Sequence, residues 1–168
     1  MTRAFALILF VAGLALPAWQ LIGASDRAMA VGEPSGNPVD TAKQAQKGSL
    51  KSPFPDPAKV ADEGHQKFMA AGCNGCHGGT GGGGMGPPLT NAIWVYGNDD
   101  DTLFRLIALG TDELQKQGYT RKGSESVVGP MPQMGGVVKS DDDLWKIIAW
   151  IKTNNKAAGE SSSTQTRQ

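Results

Sequence analysis

The sequence predicts an all-α fold with about three main helices joined by long loops. Three segments carry apolar residues at three- and four-residue spacing, and each begins at a residue that caps helices well. No segment shows the clean alternation of apolar and polar residues that is typical of strands. Two stretches rich in glycine and proline, residues 78–86 and 118–136, lie between the helical segments. Loops of this length in a compact domain usually serve a function.

The first predicted helix begins at Asp56, an N-cap residue followed by proline, and ends at Gly72. Its small and apolar residues recur at helical spacing, at Val60, Ala61, Gly64, Phe68 and Ala71. His65 lies on the same helix, and its simplest interpretation is a solvent-facing or helix-packing histidine.

The second and third predicted helices begin at aspartate triads, residues 99–101 and 141–143. These charges favour the helix dipole; a calcium site is the alternative, but no EF-hand spacing follows. Gly110 ends the second helix, and Ser140 with Asp143 forms an acidic version of the capping box. The apolar stripes comprise Leu103, Leu106 and Ile107 in the second helix and Leu144, Ile147, Ile148 and Ile151 in the third, with Trp145 and Trp150 at its flanks.

The first 30 residues predict a cleaved signal peptide rather than part of the fold. Arg3 gives a positive start, residues 4–25 carry no charge, and Ala28-Met29-Ala30 supplies a small-x-small cleavage site. An uncleaved membrane anchor is the alternative, because residues 4–25 are long enough to span a bilayer.

The rest of the chain divides into three parts by composition. Residues 31–53 contain few apolar side chains and predict a flexible leader, and residues 156–168 are polar and predict a disordered tail. Residues 54–155 therefore form the compact domain. Lys and Arg total 16 and Asp and Glu total 16, so the chain lacks the basic excess of a nucleic-acid binder.

The chemistry of the chain is concentrated in one motif, Cys-Asn-Gly-Cys-His at residues 73–77. Cys-x-x-Cys-His is the attachment signature of haem c. Two residues between the thiols of Cys73 and Cys76 let them reach both vinyl groups of one haem, and His77 then points its imidazole at the iron. A thioredoxin-like redox pair would need a βαβ setting, and a zinc site would need four ligands. The sequence provides neither.

With this motif, the chain resembles the class I c-type cytochromes over about residues 56–152. The resemblance rests on Gly64, Phe68, Gly-Pro-Pro-Leu at 86–89, Met131-Pro132 and Trp150. It implies a small class I cytochrome fold around one covalently bound haem c, held in a crevice with one edge exposed. It also implies that the first and last helices cross near Gly64, and that the Pro87 carbonyl accepts the proton of the His77 ring.

A narrower resemblance links the chain to periplasmic cytochromes of methylotrophic bacteria, cytochrome cL and its relatives. It rests on residues 73–84 and 86–89, Trp-Val-Tyr-Gly at 94–97, and Gly-Pro-Met-Pro at 129–132. It implies a monomeric periplasmic protein that accepts electrons from a pyrroloquinoline-quinone (PQQ) methanol or alcohol dehydrogenase and passes them to another cytochrome c or a terminal oxidase. An insertion at about residues 111–129 departs from small cytochromes c, and is either a docking element or a neutral surface loop.

The sixth iron ligand is predicted to be Met131, because Pro130 and Pro132 restrict the backbone on both sides of it. Met134 is the main alternative, followed by Met85, His65 or an open site. Several methionines and few plausible distal catalytic groups favour an electron carrier over an enzyme. The other function class is a haem enzyme or gas sensor, which needs an open or displaceable sixth position. Tryptophans 94, 145 and 150 are interpreted as packing residues.

Overall fold

The structure is a computed structural model that describes residues 36–126 and 129–155. In these ranges every regular element is helical and no strand occurs, which confirms the predicted all-α fold. The elements are α1 (Pro38–Gln44), a 3-10 turn (Pro57–Val60), α2 (Ala61–Ala70), α3 (Asn74–His77), α4 (Asp100–Lys116) and α5 (Asp141–Asn154). The predicted signal peptide and tail lie outside the described residues. None of the described helices has the length and apolar character that a membrane crossing requires.

Helices α2 and α5 cross at Gly64. A Cβ atom on Gly64 would lie 1.9 Å from the carbonyl oxygen of Lys146 and 3.0 Å from Cβ of Trp150, so the two backbones approach more closely than any side chain allows. One turn further along α2, the buried Phe68 packs against Trp150 with ring centroids 4.4 Å apart. The crossing near Gly64 that the resemblance implies is therefore observed.

The core lies between α4 and α5 and continues to α2. Phe104 and Trp145 pack with ring centroids 4.7 Å apart. The caps that the sequence predicts are present: Asp99 accepts a hydrogen bond from the Thr102 amide, and Ser140 accepts one from the Asp143 amide. The fully buried apolar side chains include Phe68, Phe104, Leu114, Leu144, Ile147 and Ile148.

Helix α4 breaks at Gly110 and then continues. Gly110 has φ 79° and ψ 173°, a conformation that favours glycine, so the first segment of α4 ends where the sequence predicts a helix end. A second helical segment then runs on to Lys116. The first residues of the predicted insertion are thus part of a helix, and Leu114 is fully buried in it.

The prediction of a flexible leader over residues 31–53 is wrong for the part that the structure describes. Asn37 caps α1, and Ala42 in this helix is fully buried. The Arg105 side chain of α4 donates hydrogen bonds to the backbone carbonyls of Ala42, Ala45 and Gln46. These contacts use backbone oxygens rather than apolar side chains. The hydrophobic pattern of the sequence therefore does not indicate them.

Arg105 is itself buried, with Asp101 as its ionic partner. Its Nε lies 3.0 Å from Oδ2 of Asp101, and both side chains are almost inaccessible to solvent. Tyr119 also donates its hydroxyl to Asp101. Burial raises the pKa of the Asp101 carboxyl, but hydrogen bonds from Tyr119 and Arg105 outweigh burial and hold that pKa below its ordinary value. Burial, followed by the bond to Asp101, raises the pKa of Tyr119 to about 12.

We expect Arg105→Met to lower the free energy of unfolding by about 3–5 kcal/mol, because it leaves the Asp101 carboxylate buried without its partner. Chemical denaturation of the holoprotein measures this. Lys116→Met is the matched control on the same helix: Lys116 is exposed and pairs with Glu113 at 3.5 Å, so its loss should change stability by no more than about 0.5 kcal/mol. Equal effects of the two substitutions would show that the buried pair of Arg105 and Asp101 does not stabilise the fold.

We expect Gly64→Ala to lower the free energy of unfolding by about 1–3 kcal/mol, because the added methyl forces α2 away from the Lys146 carbonyl. Gly136→Ala is the control, since a Cβ there meets no atom within 4 Å. Thermal unfolding of the two variants compares them directly. A Gly64→Ala protein as stable as the control would contradict the close crossing.

Candidate functional site

The residues of the Cys-x-x-Cys-His motif lie on one helical turn directly after α2. The amide of Cys73 donates to the Phe68 carbonyl, which closes α2, and the amides of Cys76 and His77 both donate to the Cys73 carbonyl at 3.2 and 3.0 Å. Short helix α3 therefore holds both sulfurs and the imidazole on neighbouring positions. Cys73 and Cys76 form no disulfide, and burial raises the pKa of the Cys73 thiol.

The His77 ring is oriented by the segment that follows the glycine-rich loop. Its Nδ1 lies 2.9 Å from the Pro87 carbonyl oxygen, which makes Nδ1 the protonated nitrogen and leaves the lone pair on Nε2. This is the contact between His77 and Pro87 that the resemblance to class I cytochromes implies. A Cβ on Gly86 would lie 3.0 Å from the ring carbon Cε1, so a glycine lets the chain pass against the imidazole.

The glycine-rich loop is tied to α2 and α5 by side chains outside the motif. His65 Nε2 lies 2.7 Å from the Gly79 carbonyl oxygen, and Asn154 donates to the Thr80 carbonyl at 2.8 Å. The His65 ring stacks on Trp150 at 4.6 Å. His65 is thus a helix-packing residue that lines neither cavity described below.

Two cavities lie next to each other, and His77 lines both of them. Counting the open solvent at their mouths, one spans about 910 Å³ and is called the larger cavity, and the other spans about 630 Å³ and is called the smaller cavity. Both are lined by Cys73, His77, Pro87, Gly129 and Met131. The remaining walls of the larger cavity are mostly apolar, from Phe68, Leu89, Trp94, Leu103, Ile107 and Ile151. Among the described residues, no aspartate, glutamate, lysine or arginine lines either cavity.

This crevice fits a haem group by its chemistry. A large apolar ring needs apolar walls, two vinyl groups need two thiols, and an iron needs a neutral imidazole nitrogen. Cys73 and Cys76 supply the thiols, and Nε2 of His77 is not used by the Pro87 contact. Cys76 lines only the smaller cavity.

The structure separates the candidate sixth ligands by position. Met131 lines both cavities, as His77 does, whereas Met134 and Met85 line only the smaller one. Met85 is 73% exposed. Only Met131 among these methionines therefore shares both cavities with the imidazole.

The insertion braces one wall of the larger cavity. The Lys122 amide donates to the Val95 carbonyl at 2.7 Å, and Asn91 donates to the Glu125 carboxylate. Gln115 also donates to the buried hydroxyl oxygen of Tyr96, which lines the cavity. The sequence marks Tyr96 only through the Trp-Val-Tyr-Gly segment, and nothing in it shows that the insertion folds against this segment.

The chain is similar to known proteins over the part that contains this site. Residues 60–151 match the family model described as cytochrome c oxidase, cbb3-type, subunit III. The chain is similar to cytochrome cL from Hyphomicrobium denitrificans, with 25% identity, 71% of this chain and 72% of that chain covered, and a TM-score of 0.43. It is also similar to cytochrome cL from the marine methylotrophic bacterium Methylophaga aminisulfidivorans MPT, with 21% identity, 80% and 92% covered, and a TM-score of 0.41. The comparison with curated proteins found no match.

Proposed function

Because the chain belongs to the cytochrome c family described as cytochrome c oxidase, cbb3-type, subunit III, we propose that it is a single-haem electron carrier of the periplasm. The observation that carries this proposal is the Cys73–His77 turn on the wall of an apolar crevice, with Met131 lining the same two cavities. The sequence contains only two cysteines, enough for one covalent haem. When bound, haem c supplies an iron that alternates between Fe(II) and Fe(III).

The residues of the crevice have distinct roles in this proposal. Cys73 and Cys76 would hold the cofactor covalently, and His77 would ligate the iron through Nε2. The Pro87 carbonyl fixes the tautomer of His77 and increases its basicity, because it accepts the Nδ1 proton at 2.9 Å. The apolar walls of the crevice would limit the access of water to the iron.

We propose Met131 as the sixth ligand. A thioether is a soft, neutral ligand, and pairing it with histidine raises the reduction potential of the iron. The position of Met131 on both cavities supports this assignment, and its neighbours Pro130 and Pro132 limit the entropy lost on ligation. Met134 lies on the smaller cavity alone.

We expect Met131→Ala to abolish the weak far-red iron–sulfur absorption of the ferric protein and to lower its reduction potential. Met134→Ala is the matched control, and both properties should stay near those of the unchanged protein. Visible spectroscopy and potentiometry measure the two variants. The reverse result would make Met134 the ligand.

The donor that we propose is a PQQ-dependent alcohol or methanol dehydrogenase, and the acceptor is another cytochrome c or a terminal oxidase. The donor is supported by the resemblance of residues 73–84, 86–89, 94–97 and 129–132 to the cytochromes of methylotrophic bacteria. The family description, which names an oxidase subunit, supports the acceptor. The net charge of zero and the uncharged cavity lining provide no strong single-sign field for steering a partner.

We expect a reduced PQQ methanol dehydrogenase to reduce the ferric protein rapidly, with a modest dependence of the rate on salt. Stopped-flow spectroscopy at two ionic strengths measures this, with an unrelated cytochrome c of similar potential as the control. A rate no higher than that of the control would contradict the proposed donor. Rapid binding of carbon monoxide to the ferrous protein would instead indicate a displaceable sixth ligand and contradict the carrier role.

A further inference from the structure

Thr111 and Met131 are joined by two reciprocal hydrogen bonds. The Thr111 amide donates to the Met131 carbonyl at 2.9 Å, and the Met131 amide donates to the Thr111 hydroxyl at 2.9 Å. Thr111 is 5% exposed and lines the larger cavity. One buried residue of α4 therefore satisfies both backbone polar groups of Met131.

The hydrogen bond from the Met131 amide depends on a side chain, the hydroxyl of Thr111, and not on backbone atoms alone. Pro130 and Pro132 have no amide hydrogen, so the Met131 amide is the only backbone donor of this three-residue segment. Further along the same loop, the Met134 amide donates to the Ile107 carbonyl. That bond joins backbone to backbone and does not involve the side chain at position 111. The hydroxyl of Thr111 can therefore be removed while the rest of the loop stays attached to α4.

The break in α4 makes this pairing geometrically possible. At Gly110 the chain leaves the helical conformation, with φ 79° and ψ 173°. A Cβ there would lie 2.8 Å from the Met131 carbonyl oxygen and 2.8 Å from the Gln133 amide nitrogen, so the loop passes directly over the glycine. Thr111, the next residue, is thus placed beside Met131.

We propose that Thr111 is a positioning residue that holds Met131 so that it faces His77. This inference rests on the proposed function, in which a methionine of this loop ligates the iron. The two methionines lie three residues apart on one loop, and the hydroxyl of Thr111 fixes the register that turns Met131 to the cavity it shares with the imidazole.

The test compares the holoproteins of Thr111→Val, which removes the hydroxyl at nearly constant shape, and Thr111→Ser, which retains it. Thr111→Ala removes the same hydroxyl and replaces the valine variant if that one does not fold. The readouts are the far-red absorption of the ferric protein and its apparent affinity for imidazole, which competes with methionine for the iron. Thr111→Val should weaken the absorption and tighten imidazole binding about ten-fold, the value of one lost hydrogen bond. Thr111→Ser should match the unchanged protein.

Thr102→Val is the matched control, because Thr102 is also a buried threonine of α4. Its hydroxyl donates to Asp99 at 2.8 Å, and it lines neither cavity. It should lower the thermal midpoint and leave imidazole binding unchanged. Imidazole binding that is unaltered in Thr111→Val, or equally tightened in Thr102→Val, would overturn the role of Thr111.

The same spectra distinguish a failure of the positioning role of Thr111 from a failure of the assignment of Met131 as the ligand. If Met131→Ala loses the far-red absorption while Thr111→Val is unaltered, the methionine ligand stands and only the positioning role is overturned. If Met131→Ala keeps the absorption, the ligand assignment fails and the role of Thr111 fails with it.

Discussion

The contact between the backbones of α2 and α5 at Gly64 is the constraint on which the rest of the site depends. Helix α2 leads directly into the turn that carries Cys73 and His77, and α5 contributes Ile147 and Ile151 to the larger cavity. Since no side chain fits between Gly64 and the Lys146 carbonyl, the two walls are set by one crossing. The aromatic pair beside it, Phe68 and Trp150, fills the angle between the helices.

His77 and Met131 are held in the crevice in different ways. His77 is positioned by its own neighbourhood in sequence, through the Cys73 carbonyl and the Pro87 carbonyl. Met131 is hydrogen-bonded to a residue distant in sequence, Thr111, which follows the break at Gly110. The placement of Met131 on the crevice therefore depends on tertiary structure, whereas that of His77 depends on contacts closer in sequence.

Much of the fold could be predicted from the sequence, because helix periods, caps and the attachment motif are local patterns. The N-caps Asp99 and Ser140 and the helix end at Gly110 follow from such patterns. The docking of α1, the helical start of the insertion and the role that we propose for Thr111 did not follow. The docking of α1 and the contact of Thr111 each depend on a polar side chain that meets a distant backbone group, as Arg105 does, and such contacts have no period and no fixed spacing.

The anchoring of α1 has a consequence for the order of assembly. The Arg105 guanidinium and the carbonyls that it binds are separated by 59 to 63 residues, so a loop of that length must close before the contact forms. The carbonyls of Ala42, Ala45 and Gln46 are made early as the chain is synthesised, but their donor arrives only with α4. Helix α1 can therefore dock only in a molecule in which α4 has already formed. Before α4 forms, α1 is undocked, and an undocked segment of this kind is a preferred site of proteolytic cleavage.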